Sequence, residues 1–357
     1  PDARHGIAAS ETTLGDLARR HGYATGLFGK WHLGHRPPFL PTRHGFVEYL
    51  GLPYSNDMWP RHPEAPKAYP PLPLLENERV LTPDVSPDDQ ARLTDLLTRR
   101  AVRFVERHRR RPFLLYLAWP MPHVPLFAGK RFLGLTRRGL YADVLREIDA
   151  SAGAVRDAVR RCGLEEDTLI VFASDNGPWL SYGDHAGSSG GLREGKGTSW
   201  EGGIRVPGIF CWPGQIRAGS VCDAPAMTID LLPTFAGRVG APLPPLPIDG
   251  RDLWPLLSQA PNPPERDEAY WIYYNVHELQ AVRRGRWKLV LPHAYRTMGG
   301  QAPGRGGTPG KYRMEKTPLA LYDLDADPGE TTDLSTRRPV VLREMLRHAE
   351  RARAELG

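Results

Sequence analysis

The sequence predicts an α/β fold with a largely parallel central sheet, helices on both faces, and a small C-terminal antiparallel subdomain ending in a helix. Three observations carry this expectation. Apolar runs rich in β-branched and aromatic residues at Tyr23 to Phe28, Phe113 to Trp119 and Thr168 to Ala173 have the composition of buried strands. Amphipathic helical stretches separate them, and helix–strand alternation at this spacing gives parallel crossovers. After about residue 258 the pattern shifts to shorter strands and a final basic helix, so residues 1–258 are expected to form the α/β domain and residues 259–357 an α+β subdomain.

Taken in order, residues 11–22 (ETTLGDLARRHG) read as a short helix, with Thr12 or Thr13 as cap, Leu14, Leu17 and Ala18 inward and Gly22 as the stop. Tyr23 to Phe28 follows as a strand. If it continues to His32, its two-residue period puts Lys30 and His32 on one face and Trp31 on the other. Residues 35–85 lack sustained periodicity and read as loops framing a pocket mouth. Ser86 and Pro87 open a helix as N-cap and first residue, with Leu93, Leu96, Leu97, Ala101, Phe104 and Val105 in its apolar stripe. Its basic end, His108 to Arg111, suits a helix C-terminus. Phe113 to Trp119 is the next strand, Tyr141 to Arg161 the next amphipathic helix, and Thr168 to Ala173 a strand buried on both faces. Gly208 to Trp212 resumes strand character, and Met227 to Phe235 begins a helix. Pro261 to Pro264 reads as a linker, followed by antiparallel strands at Tyr270 to Tyr274 and Ala281 to Leu291, a mobile Gly-rich stretch at residues 299–310, and a basic helix at residues 339–356.

The densest chemistry lies in Ser174 to Pro207, SDNGPWLSYGDHAGSSGGLREGKGTSWEGGIRVP. Ligands of open α/β sheets bind outside the carboxyl ends of the strands, where Asp175 and Asn176 stand. A carboxylate beside an amide oxygen suits a hard cation, Ca²⁺ or Mg²⁺, although Asp-Asn-Gly is equally a good turn. Lys196, between Gly195 and Gly197, can set an ammonium on an oxyanion. Gly190 to Lys196 approaches a phosphate-binding loop, but Gly197 stands where Ser or Thr is required and no strand directly precedes it, which excludes an NTPase. Lys30 and His32 form either an oxyanion grip with a proton donor or a surface lysine beside a packed histidine. Tyr322 to Glu330 spaces its aspartates like a calcium loop, yet Pro328 interrupts it and no Glu occupies the twelfth position.

The net charge of +6 over 357 residues fits an anionic substrate or a solvated basic surface; the arginines lie scattered along helices, which argues against nucleic acid. No run of about 18 apolar residues occurs, so no membrane span is expected. Cys162, Cys211 and Cys222 are too few and odd in number for a disulfide framework and show no CxxC metal spacing. The chain opens on Pro1 without Met or a signal peptide and is expected to be a piece lacking its N-terminal segment, which leaves its location unread.

GKWHLG at 29–34, SDNG at 174–177 and GKGTSWEGGIRVP at 195–207, in this order, resemble the sulfatases of the arylsulfatase A type, formylglycine-dependent members of the alkaline phosphatase superfamily. Weaker likeness extends over nearly the whole chain. The resemblance implies hydrolysis of a sulfate monoester, an aryl sulfate or a sulfated carbohydrate, in a periplasmic or secreted setting. It implies that Lys30, His123 and Lys196 bind the sulfate and act with His32 in catalysis, that Asp175 and Asn176 hold part of a Ca²⁺ shell, with Mg²⁺ less expected, and that Ser55 in GLPYSND donates near the sulfate with Asn56 and Asp57 on the rim. A turn without ligand contact remains the other reading of that loop. His293 and Arg296 are expected to lean over the pocket.

The family nucleophile is a cysteine in Cys-x-Pro-x-Arg, converted to formylglycine by a maturation enzyme. None of the three cysteines fits, for Cys211-Trp212-Pro213 copies half the pattern but carries Gln215 in place of arginine. The nucleophile and two further metal-binding aspartates are therefore expected upstream of Pro1, and these residues alone are expected to be inactive. The alternatives are a phosphoester or phosphonate monoester hydrolase of the same superfamily, and a catalytically dead binder of sulfated glycans.

Overall fold

A computed structural model describes residues 3–66, 68–259, 270–274 and 278–356, and the expected linker at 261–264 lies outside them. The chain divides into two compact units, the first holding residues 1–170, 211–222 and 226–260 and the second residues 171–210, 223–225 and 261–357.

In the first unit, helix α1 (Leu14–Arg20) starts at Thr13, whose hydroxyl accepts from the Asp16 amide while the Asp16 carboxylate accepts from the Thr13 amide, a reciprocal capping box. Strand β1 (Ala24–Gly29) is buried along its whole length. Adjacent side chains go to opposite cores: Phe28 joins Leu97, Ala101 and Phe104, and Leu27 joins Trp31, Phe46 and Tyr49. The segment expected to be all loop contains β2 (Glu48–Gly51), β3 (Leu74–Glu76) and β4 (Arg79–Thr82); the strands are three or four residues long, too short to register as periodicity. Helix α2 (Pro87–Arg107) opens with a second capping box between Ser86 and Asp89, and β5 (Phe113–Ala118) and α3 (Leu140–Arg161) follow. The sheet order is β4-β3-β2-β1-β5, with β2, β1 and β5 parallel and β3 and β4 antiparallel, so the sheet is mixed. Helices α2 and α3 pack together on one face and α1 packs against β1 and β5, giving helices on both faces. Strands β1 and β2 approach so closely at their ends that a Cβ on Gly51 would stand 1.8 Å from the carbonyl oxygen of Gly29, which restricts that position to glycine.

Strand β6 (Ile170–Ala173), whose residues from Val171 on belong to the second unit, alternates half-buried and exposed residues and pairs with β7 (Gly208–Cys211) in a two-stranded sheet. The expectation of a strand buried on both faces fails here, since none of its four residues is fully buried. Between them lies the one-turn helix α4 (Glu201–Ile204). Helices α5 (Leu231–Val239) and α6 (Trp254–Leu257) belong to the first unit, where Arg238 stacks on Trp254 at 4.4 Å. The remainder is β8 (Tyr270–Tyr274), β9 (Glu278–Arg284), β10 (Trp287–Val290), β11 (His293–Thr297), β12 (Arg313–Thr317), β13 (Ala320–Asp323) and helix α7 (Pro339–Leu356). The single strand expected over Ala281 to Leu291 is a hairpin, because Gly285 takes a positive φ of 53° and turns the chain. Strands β13, β10, β9 and β8 form one antiparallel sheet and β11 and β12 another; α7 sets Met345, Ala349 and Ala352 onto Val282, Leu289 and Leu321. The Gly-rich stretch expected to be mobile is tied down, with the Gly304 and Gly310 amides donating to the Ser181 carbonyl at 2.8 and 2.7 Å.

Candidate active site

In the first unit the sheet itself gathers the predicted residues. Strands β2, β1 and β5 are parallel neighbours, so the loops at their carboxyl ends lie side by side, and these loops carry Ser55, Lys30 with His32, and His123 respectively. Strand β1 ends at Gly29, short of the expected continuation, because the amides of the next three residues are taken by other partners: Lys30 donates to Ala118, Trp31 to Leu52 and His32 to Pro53. Trp31 turns into the core, its indole N–H donating to Phe39 at 2.7 Å. His32 sits in the left-handed region at φ 62° and is exposed, while Lys30 is half-buried. A non-glycine residue held there is strained, which is common where a side chain must be aimed.

The β2 loop is more deeply placed than expected. Asn56 and Asp57, read as rim residues, are buried, Asn56 completely. The Asn56 amide donates to Gln90 of α2 at 3.2 Å, to Pro125 at 3.3 Å and more distantly to His123 at 3.5 Å, and Gln90 returns a bond to the Asn56 carbonyl. Its role here is to tie the Ser55 loop to the His123 loop. Ser55 Oγ, by contrast, is buried with no hydrogen-bond partner among the described residues, as are Asn56 Oδ1 and Asp57 Oδ1. His123 Nδ1 lies 2.7 Å from the Val124 carbonyl; a carbonyl only accepts, so Nδ1 carries the proton and Nε2 is the atom that exchanges one. Asn56→Ala is expected to cost about 2 kcal/mol of unfolding free energy, read in a urea titration, since Gln90 Oε1 and the His123 and Pro125 carbonyls lose their Asn56 donor while the Gln90 bond to the residue 56 carbonyl remains.

In the second unit, Asp175 is exposed and Asn176 half-buried just past β6. Asn176 Nδ2 donates to the Gly177 carbonyl at 2.9 Å, which leaves its oxygen, with the Asp175 carboxylate, as hard donors. No group of three or more His, Cys, Asp or Glu placed to hold a metal ion occurs among the described residues, so this pair fits Ca²⁺ as part of a shell of six to eight oxygens and not as a complete one. Lys196 is held by its backbone: its amide donates to Pro178 at 2.8 Å and its carbonyl accepts from Arg296 at 2.5 and 3.1 Å. Its ammonium lies 4.9 Å from the Trp179 ring centroid. Gly197, at φ 80°, has Arg296 where a Cβ would stand, so the glycines serve the packing of the loop on itself. His293 is buried against Trp200 and Tyr295; its Nδ1 donates to Leu291 at 2.7 Å and its Nε2 is buried without a partner among the described residues.

The sequence reading did not single out Trp179, Gln90 or Arg193. Arg193 stacks 3.5 Å above the Trp200 ring and donates to Tyr322, Tyr295 and the Glu330 carbonyl. Nor did it see a buried charge cluster: Lys288 pairs with Glu201 at 3.0 Å and Glu330 at 2.8 Å, and Arg283 reaches Glu201 at 3.3 Å. Of the cysteines, Cys211 and Cys222 are exposed and Cys162 is half-buried, all unbridged.

An α/β sheet with cationic and imidazole side chains in the loops at its strand ends is a frame suited to an anionic ligand. The sulfatase profile matches residues 2–241 and that for the C-terminal region of aryl-sulfatases residues 266–357, and the chain belongs to the sulfatase family. It is 38% identical to arylsulfatase A of Bos taurus over 94% of this chain and 69% of that protein. It is 35% identical to N-acetylgalactosamine-6-sulfatase of Mus musculus over 92% of this chain and 66% of the relative. Among solved structures, the PsFucS1 sulfatase from Pseudoalteromonas sp. superposes with a TM-score of 0.84 at 24% identity, covering 99% of this chain and 75% of that one. The family is one of sulfuric ester hydrolases, and no helix among the described residues is long and apolar enough to cross a membrane.

Proposed function

We propose that the protein hydrolyses a sulfate monoester with Lys30, His123 and Lys196 as the sulfate-binding cations, Ser55 as a neutral donor and His32 orienting the nucleophile. The observation that supports this most directly is the convergence of Lys30, His32, Ser55 and His123 on the carboxyl ends of three adjacent parallel strands. Preorganised donors of this kind stabilise the charge that builds on the non-bridging oxygens as the ester bond breaks. When bound, Ca²⁺ held in part by Asp175 and Asn176 would neutralise sulfate charge, and a formylglycine on a cysteine upstream of Pro1, made by its maturation enzyme, would supply the nucleophile. The chain's own residues do the rest. Ser55 Oγ, orphaned inside the protein, is available to donate to a sulfate oxygen. His123, with Nδ1 committed to Val124, gives the leaving oxygen a proton from Nε2. Lys196 is carried by a loop whose backbone is fixed on both sides, so its ammonium needs little reorganisation. His293 contributes its buried Nε2 as a further substrate contact. An aryl sulfate or a sulfated carbohydrate is the substrate, and a periplasmic or secreted setting follows the family.

The test has two arms. Matured protein should release sulfate from 4-nitrophenyl sulfate far faster than phosphate from 4-nitrophenyl phosphate; the reverse preference would favour a phosphoester hydrolase. Independently of turnover, Ca²⁺ should raise the thermal midpoint, as any ligand specific for the native state does, and Asp175→Asn should abolish the rise.

A further inference from the structure

Strand β11 grips the Lys196 loop with three consecutive side chains. Tyr295 accepts from Arg193 at 3.1 Å, Arg296 donates two N–H groups to the Lys196 carbonyl, and Thr297 donates to the Glu194 carboxylate at 2.6 Å. The strand itself is fixed, since its five residues pair with β12 and both Tyr295 and Thr297 are buried. The loop depends on being held. Glu194 carries a φ of 55°, a left-handed conformation that a non-glycine residue keeps only where its surroundings impose it. Gly197, next to Lys196, has the Arg296 guanidinium where a Cβ would stand. That guanidinium lies 4.8 Å from the Tyr312 ring centroid and 5.8 Å from that of Trp179, and the Lys196 ammonium lies 4.9 Å from the same Trp179 centroid. Arg296 therefore meets Lys196 twice, at its carbonyl and across a shared indole.

We propose that Arg296 is a positioning residue for the hydrolysis, setting where the Lys196 ammonium stands by fixing the Lys196 carbonyl. The proposal rests on the sulfate-ester reading, which gives Lys196 its task. A group that stabilises a developing oxyanion works by being in place beforehand, and a displacement of about 1 Å costs on the order of 10²-fold in rate. Two N–H groups of one rigid fork on a single oxygen fix the direction of that carbonyl as well as its distance, and the flat guanidinium also lies against aromatic rings. An ammonium is a point charge on a flexible stem and offers no fork. The Thr297 bond to Glu194 holds the same loop two residues earlier, so the backbone entering and leaving Lys196 is tied to one strand.

The experiment is a double-mutant cycle in matured protein, with Arg296→Ala, Lys196→Ala and the two combined. Arg296→Ala should lower kcat/KM for 4-nitrophenyl sulfate at least tenfold. In the Lys196→Ala background the same substitution should change it less than twofold, because a residue that acts through Lys196 then has nothing to position. Losses that multiply, or no loss in the single variant, overturn the proposal. Arg296→Lys keeps the charge without the fork and should recover less than half of the lost activity; full recovery overturns the role of guanidinium geometry. A thermal melt accompanies each variant. Where Arg296→Ala does not fold, Arg296→Lys takes its place in the cycle, and failure of both to fold makes Arg296 structural and overturns the proposal. A second readout needs no turnover: deuterium exchange over residues 193–198 should quicken at least tenfold in Arg296→Ala relative to the rest of the second unit, and unaltered exchange overturns the grip. If the parent turns over no sulfate ester, or Lys196→Ala leaves turnover unchanged, the functional reading of Lys196 fails, while the exchange measurement still decides whether Arg296 holds the loop.

Discussion

Lys196→Ala is expected to lower turnover of an aryl sulfate by about 10²- to 10³-fold, the loss typical of removing one preorganised group from a developing oxyanion. The fold should survive. What holds the loop is the Lys196 backbone, with its amide on Pro178 and its carbonyl under Arg296, and alanine keeps both bonds. The side chain itself is half-buried over Trp179, and a cation–π contact of that exposure contributes only about 1 kcal/mol to stability. Steady-state kinetics beside a thermal melt separates the two effects. Unchanged kinetics with an unchanged melt would remove Lys196 from the mechanism, and a collapsed melt would mean that it is structural.

Lys288→Met should destabilise the second unit by about 3–5 kcal/mol. Lys288 is wholly buried between Glu201 and Glu330, themselves fully buried, and methionine keeps the volume but strands two carboxylates with Arg283 as their remaining charged partner. Burial already pushes the Glu330 carboxyl above the ordinary range, against the lowering effect of Lys288. The sign of the pH dependence follows. A carboxyl whose native pKa is raised holds its proton in the folded state while the unfolded chain has lost it, so stability is greatest below the ordinary value and falls as pH rises through the raised one. Removing Lys288 raises Glu330 further and widens that window upward. Urea unfolding at mildly acidic and at neutral pH should therefore show a larger penalty for Lys288→Met at neutral pH, and Glu330→Gln in the same background should return part of it. A penalty independent of pH would show that packing, and not charge, decides the cost.

The helices were the most legible elements, because capping and periodicity agree: Ser86 marked the start of α2 to the residue, and the choice between Thr12 and Thr13 was narrowed to Thr13 by its capping box with Asp16. The motif residues fell on strand ends because strand composition located β1 and β5. What stayed hidden was tertiary. Asn56 read as a surface turn, since nothing local shows that Gln90, 34 positions on, will meet its amide. Lys288 stands in sequence as one of three cations, with Arg283 and Arg286, between apolar residues, and nothing local shows its partners Glu201 and Glu330, 87 residues before it and 42 after. β6 read as covered on both faces because its composition matches that of a central strand, and composition does not report how many neighbours pair.

The Asn56 amide has a bearing on how such an enzyme can be altered by exchange of parts. One side chain joins the loop after β2, the loop after β5 and the face of α2, so these three segments behave as a single mechanical piece. Transplanting residues 53–58 alone from a relative, to import its substrate preference, separates the amide from its receiving carbonyls unless Gln90 and residues 123–125 travel with it. The smallest exchangeable module is therefore discontinuous in the chain, and libraries that shuffle this family at loop boundaries should recover functional chimaeras only when all three segments share a parent.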